Sequence, residues 1–230
     1  MERAFLLWPL LIAGAFGGGW LAYFRWKDKA HPEPKWIIAI AVAGGMLAVG
    51  GALLGFRLFE TPDWEVLASG AWAHAAAAAL LIGLVEEAAK LLPVVLIAHR
   101  TSRFDELLDG FVYAGSAAIG FAVVETLYLV SCGLGGLELV ARAATSPITH
   151  ALLSAPAGLG VAYFVLLKRR WALPLGFAAS VLLHGSFDLL VARSPPLSAV
   201  LALAVWLWML KATLKLEKVP PFVRHGARPR

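Results

Sequence analysis

The chain has 230 residues, 60% of them hydrophobic and 15% charged, with a mean hydropathy of +0.76. A soluble domain of this size cannot hide that much apolar surface in one core, so lipid must solvate most of the chain. The single cysteine, Cys132, excludes an intrachain disulfide and a multi-cysteine zinc site, and the formal charge of +5 sits in short loops between apolar runs, which argues for membrane topology and against nucleic-acid binding.

In chain order the apolar runs predict seven transmembrane helices, each of about 20 residues, the length that crosses about 30 Å of hydrocarbon. They cover Phe5–Phe24, Trp36–Leu58, Trp72–Ala98, Gly110–Cys132, Ile148–Leu167, Trp171–Val191 and Leu197–Leu214. The first is a retained anchor and not a signal peptide, because it ends in the basic, aromatic "YFRWKDK". The fold class is therefore an all-α polytopic bundle, with residues 1–216 as one membrane domain and residues 217–230 as a basic, disordered tail.

Loop charge orients the bundle. Arg25, Lys27, Lys29 and Lys35 lie in one loop, Arg100 and Arg103 in another, Lys168 to Arg170 in a third, and six basic residues follow Leu210. The alternate loops hold only Arg142 and Arg193. The positive-inside rule then predicts an outer N-terminus, a cytoplasmic C-terminus and a multi-pass protein of the cell membrane.

Within the spans a few ionisable groups remain. They are Glu86, Glu87 and Lys90 in the third, Glu125 in the fourth, His150 in the fifth, and His184 and Asp188 in the sixth. Glu86 and Lys90 are four apart and can pair, and His184 and Asp188 share a face by the same spacing. A Glu–Lys pair can be structural glue, and a lone intramembrane His is often an interhelical hydrogen bonder. Seven such groups on four spans point instead to a shared polar interior.

Adjacent carboxylates in a low dielectric do not both ionise cheaply, while Lys90 can hold one of them charged, which separates an acid from a base. A carboxylate that takes a proton from water, with histidines donating to the oxyanion or leaving amine, suits hydrolysis of an amide. A serine mechanism fits less well. Ser186 faces away from His184, Ser154 sits on the same helix as His150, and no Gly-x-Ser-x-Gly elbow is present, so Ser154→Ala is expected to matter little. No cofactor is required; zinc held by His150, His184 and Glu86 is the alternative, although no His-Glu-x-x-His occurs.

The ordered motifs "EEAAK", "DGFVYAGSAAIGFAVVETLY", "THALLSAPAGLGVAY" and "LLHGSFD" span Leu84 to Leu190. In this the chain resembles the PrsW family of intramembrane proteases, relatives of the CAAX prenyl endopeptidases and bacteriocin-processing proteins. The resemblance implies that Glu86 and Glu87 are a catalytic pair with Lys90 as partner. It likewise implies that Glu125, framed by Phe121 and Tyr128, supports them, and that His150 and His184 complete the site. It also implies a glutamate-dependent or a metal mechanism, and a single-span membrane protein as substrate. The best-known member of the family cleaves an anti-sigma factor on its outer side. Two positions depart from the family pattern, where Asn is common: Thr126 and Asp188. Asp188 either orients His184 or is protonated. A proton-coupled transporter and a non-catalytic membrane adaptor are the rival classes; the first expects repeat symmetry and broken helices, and neither is visible.

Overall fold

The structure, a computed structural model, describes residues 2–61 and 64–222, with side chains from Leu7 onward. Among these residues its secondary structure is all α-helix, with no strand: α1 (Glu2–Lys27), α2 (Lys35–Leu58), α3 (Trp64–Ser69), α4 (Trp72–Arg100), α5 (Leu107–Ser131), α6 (Gly136–Leu167), α7 (Ala172–Arg193) and α8 (Pro195–Leu216). Six of these helices, α1, α2, α5, α6, α7 and α8, are long and apolar enough to cross a membrane. α4 has 29 residues, about 44 Å of helix, and differs from the six in carrying three ionisable residues at its centre. The protein is multi-pass.

α5 is the central post. Leu107 to Ala122 are buried without a break, and a helix that is apolar all round belongs inside. It packs chiefly against α6 and α2, while α4 lies against α7 and α2. The outer helices turn Trp8, Leu11, Leu47, Leu92, Leu175, Leu182 and Leu203 outward, where lipid tails take the place of a core. Small residues set the close crossings. A Cβ on Gly83 of α4 would come 2.9 Å from the carbonyl oxygen of Val181, and one on Gly185 of α7 would come 2.9 Å from that of Ala79. α4 and α7 therefore touch backbone to backbone beside His184.

Three elements differ from the sequence reading. α6 begins at Gly136, twelve residues before the predicted Ile148, because Pro147 continues the helix instead of starting it. Membrane helices tolerate such a proline where neighbours and side chains satisfy the freed backbone. The short α3 was not predicted; Arg193 holds it from α7, donating from Nε to the Leu67 carbonyl at 2.6 Å and from Nη2 to that of Gly70. The beginning of the predicted free tail is docked: Lys27 pairs with Glu217 at 3.0 Å, and the Phe222 amide donates to the Asp105 carbonyl at 2.7 Å. The tail from residue 223 lies outside the described residues.

Candidate active site

Four helices each bring part of the site to one level of the bundle. α4 supplies Glu86, Glu87 and Lys90, and α5 supplies Phe121 and Glu125. α6 supplies Arg142, Ser146, His150 and Ser154, and α7 supplies His184 and Asp188. Glu86 is fourteen residues from either end of α4, so the cluster lies deep in the bundle.

Lys90 is the hub. Its Nζ is 2.9 Å from Glu87 Oε1, 3.1 Å from Glu86 Oε2, 2.9 Å from His150 Nδ1 and 3.4 Å from His184 Nδ1. It also stands 4.5 Å above the Phe121 ring, whose face attracts a cation. An ammonium buried to 2% exposure is tolerable only with such a set of partners. Both glutamates meet Lys90, one at i,i+4 and the other at i,i+3, although they project about 100° apart.

The partners assign the histidine tautomers. Lys90 only donates, so His150 Nδ1 accepts and its Nε2–H points to Glu125 Oε2 at 3.0 Å. His184 Nδ1 faces both Glu87 Oε1 at 2.7 Å and Lys90 Nζ at 3.4 Å. The shorter contact decides, so Nδ1–H donates to Glu87, and the Lys90 approach is a contact between two donors, not a hydrogen bond. His184 Nε2 is then left 3.5 Å from both Glu86 Oε2 and Asp188 Oδ2. The two rings meet edge to face with centroids 5.3 Å apart. Glu125 is further held by Arg142 Nη2 at 3.3 Å and Ser146 Oγ at 3.4 Å, and Ser154 Oγ donates to Glu87 Oε2 at 2.8 Å.

Of the residues expected from sequence, Glu86, Glu87, Lys90, Glu125, His150, His184 and Asp188 come together. Tyr128 does not reach this network; it is exposed and lines the cavity nearer its mouth. Sequence reasoning missed Arg142 and Ser146, and it undervalued Ser154. The signal was a stripe of polar residues at spacing four, Glu138, Arg142, Ser146, His150 and Ser154, which becomes visible once α6 is allowed to run through Pro147.

A cavity of about 780 Å³ leads to the cluster. Glu86, Glu125, His150, His184 and Asp188 line it, whereas Glu87, Lys90 and Ser154 stand behind that wall. Its far end is lined by Phe56 of α2, Trp64 of α3, Cys132 and Leu134 of the α5–α6 turn, and Glu138 of α6.

The residues also fit a metal ion. Glu86, His150 and His184 each offer a ligand atom within 4.8 Å of the others. Glu86 Oε2 is buried and takes no hydrogen bond of good geometry, despite its 3.1 Å contact with Lys90. Four carboxylates, Glu86, Glu87, Glu125 and Asp188, face two fixed cations, Lys90 and Arg142, which leaves room for further positive charge. Behind the two histidines stand Glu125 and Glu87, the carboxylate support that metal-binding histidines use.

A bundle of lipid-facing helices enclosing a carboxylate–histidine–lysine site, with a cavity leading to it, defines a polytopic membrane hydrolase. The chain belongs to the PrsW family of intramembrane metalloproteases, whose pattern it matches over residues 33–214. It is 33% identical to Protease PrsW of Geobacillus kaustophilus over 231 residues, 97% of each chain. It is 32% identical to Protease PrsW of Bacillus subtilis, over 88% of this chain and 92% of that one. Protease PrsW of Clostridioides difficile is 26% identical over 96% and 90% of the two chains. No solved structure matches. The protein is thus an intramembrane protease, and its motifs fall on the helices that build the site.

Proposed function

We propose that the protein hydrolyses a peptide bond of a single-span membrane protein of the cell membrane, with Glu86 as the general base. The observation that carries this reading is the division of labour between the paired glutamates. Glu86 faces the cavity, while Glu87 is sealed behind it by Ser154, His184 and Lys90. Water arriving through the cavity meets Glu86. That carboxylate takes its proton as the oxygen attacks the carbonyl carbon, and then passes the proton to the departing amine. His184 Nε2, once protonated, donates to the oxyanion. Lys90 keeps Glu87 ionised, Glu87 fixes the His184 ring, and Glu125 fixes His150. Asp188 orients His184 from the cavity side.

A divalent metal, where bound, would be held by Glu86, His150 and His184, and it would supply Lewis acidity that lowers the pKa of a bound water. That the family is one of intramembrane metalloproteases favours this second reading. An assay with a membrane-tethered substrate separates the two. Retained turnover after exhaustive chelation supports Glu86 as base. Loss of turnover restored by zinc, and by no alkaline-earth ion, supports the metal.

The cavity and the resemblance together support a substrate class. An extended segment beside a single transmembrane helix can enter from the end lined by Trp64 and Leu134. By the loop charges that end faces outward. A membrane-anchored anti-sigma factor is the substrate of this kind that the family resemblance suggests.

A further inference from the structure

A second polar cluster lies at the opposite end of the bundle and takes no part in the chemistry above. It joins the α1–α2 loop, through Asp28 and Glu33, to the start of α5, through Asp105, Glu106 and Asp109. Asp109 precedes Glu125 by sixteen residues on one helix, so the two clusters are about 24 Å apart along α5.

Acidic residues at helix ends and in loops are commonly solvated, but Asp28, Glu33, Glu106 and Asp109 are buried and Asp105 is half-buried. Asp28 is 1% exposed and Asp109 is 0% exposed. Each spends one carboxylate oxygen on backbone amides. Asp28 Oδ2 accepts from the Glu33 N–H at 2.8 Å, and Asp109 Oδ2 accepts from those of Asp105 and Glu106 at 2.8 and 2.7 Å. The other oxygen of each, Oδ1, is buried without a hydrogen bond. A buried carboxylate oxygen with no partner costs several kcal/mol unless something positive meets it.

The surroundings define what would meet it. Asp28, Glu106 and Asp109 each bring a carboxylate oxygen within 4.8 Å of the other two, and Glu33, Asp105 and Asp109 form a second such triad. Calcium ligands at about 2.3–2.6 Å from the ion fall within about 5 Å of one another, and magnesium ligands fall closer still. All the donors are oxygens, which selects a hard cation over zinc or copper. His31 Nδ1 is 2.6 Å from Glu106 Oε1, and Tyr113 Oη donates to Glu33 Oε2, so the triads already have polar walls.

The geometry points to a binding site for one hard divalent cation, magnesium or calcium, held by Asp28, Glu106 and Asp109 at the end of the bundle remote from the active site. The ion would clamp the α1–α2 loop to the head of α5, the central post. It needs no part of the catalytic reading to be correct.

The test uses the full-length protein purified in detergent and stripped of metal. Calcium and magnesium are titrated separately by calorimetry, and the unfolding midpoint is followed in parallel. One cation per chain should bind, and a saturating concentration should raise the midpoint by about 5 °C. Asp28→Asn and Asp109→Asn should each weaken binding at least tenfold and abolish the shift, while Glu86→Gln should keep both. Should Asp109→Asn not fold, Asp28→Asn and the wild-type stoichiometry still decide. Absence of binding at millimolar cation overturns the proposal, and so does binding indifferent to Asp28→Asn or lost in Glu86→Gln. Asparagine variants that are stabilised without any cation effect would show protonated carboxyls in place of an ion, and would overturn it as well.

Discussion

At the scale of single residues, the cavity wall separates groups that sequence treats alike. Glu86 and Glu87 are adjacent acids in the same motif, and nothing in their spacing says which one meets water. Helix packing decides it: Glu86 lines the cavity, and Glu87 faces inward to Ser154 and His184. Glu86→Gln should lower kcat by about 10²–10⁴-fold with little change in KM, the loss expected for a missing general base. Glu87→Gln should also lower kcat, but through misplaced His184. Its signature is a shifted pH–rate profile, read by assaying both variants across pH. Ser154→Ala removes one charge-assisted hydrogen bond, worth about 1.5–3 kcal/mol, from Glu87. We therefore expect a fall in turnover of about 10- to 100-fold that Ser154→Thr restores, against the sequence-based expectation of little effect. Unchanged turnover in Ser154→Ala would show that Lys90 and His184 hold Glu87 without it.

At the scale of elements, what could be read from sequence was set by periodicity, and what could not was set by partners. The buried charges announced themselves because ionisable residues inside apolar runs are rare. Glu86, Lys90, Glu125, His150, His184 and Asp188 were all legible for that reason. The start of α6 was not, because Pro147 is an ordinary helix boundary in water and a tolerated interior residue in a membrane bundle. That one misplacement hid Arg142 and Ser146 from the site, and it put His150 near a helix end when fourteen residues of helix precede it. The α4–α7 contact was equally invisible. Gly83 and Gly185 are isolated glycines in two apolar runs, and their mutual approach exists only in three dimensions. Gly185→Val should force α7 away from α4, cost about 1–3 kcal/mol of stability as overpacking does, and separate His184 from Glu87. Activity should fall further than the thermal midpoint predicts. Full activity in a folded Gly185→Val protein would mean that the helices can slide without losing the His184–Glu87 contact.

At the scale of the whole molecule, orientation and depth decide where a substrate is cut. Basic residues concentrate at the end holding the α1–α2, α4–α5 and α6–α7 loops, while the cavity leads to the end holding α3 and the α5–α6 turn. Reporter fusions at Lys29, Arg103 and Arg169 should read cytoplasmic, and one at Gly133 should not. Helix counting gives the depth. Glu125 lies six residues, about 9 Å, from its end of α5; His184 lies nine residues, about 14 Å, from its end of α7; and Glu86 lies fourteen residues, about 21 Å, from its end of α4. α4 and α6 exceed the roughly 30 Å of hydrocarbon by about 14–18 Å, so their ends can project into the headgroups and carry the cavity mouth with them. On the proposed reading, water reaches Glu86 by a path through that mouth, and a substrate would enter the same way, unwound, since a helix presents no free carbonyl to attack. Cleavage should fall in the outer third of the substrate's span or just beyond it. Mapping the new termini of a single-span substrate by mass spectrometry tests this. Cuts grouped on the cytoplasmic side of the span, in a protein whose Gly133 fusion reads external, would require a second route to Glu86 and would refute entry through the cavity.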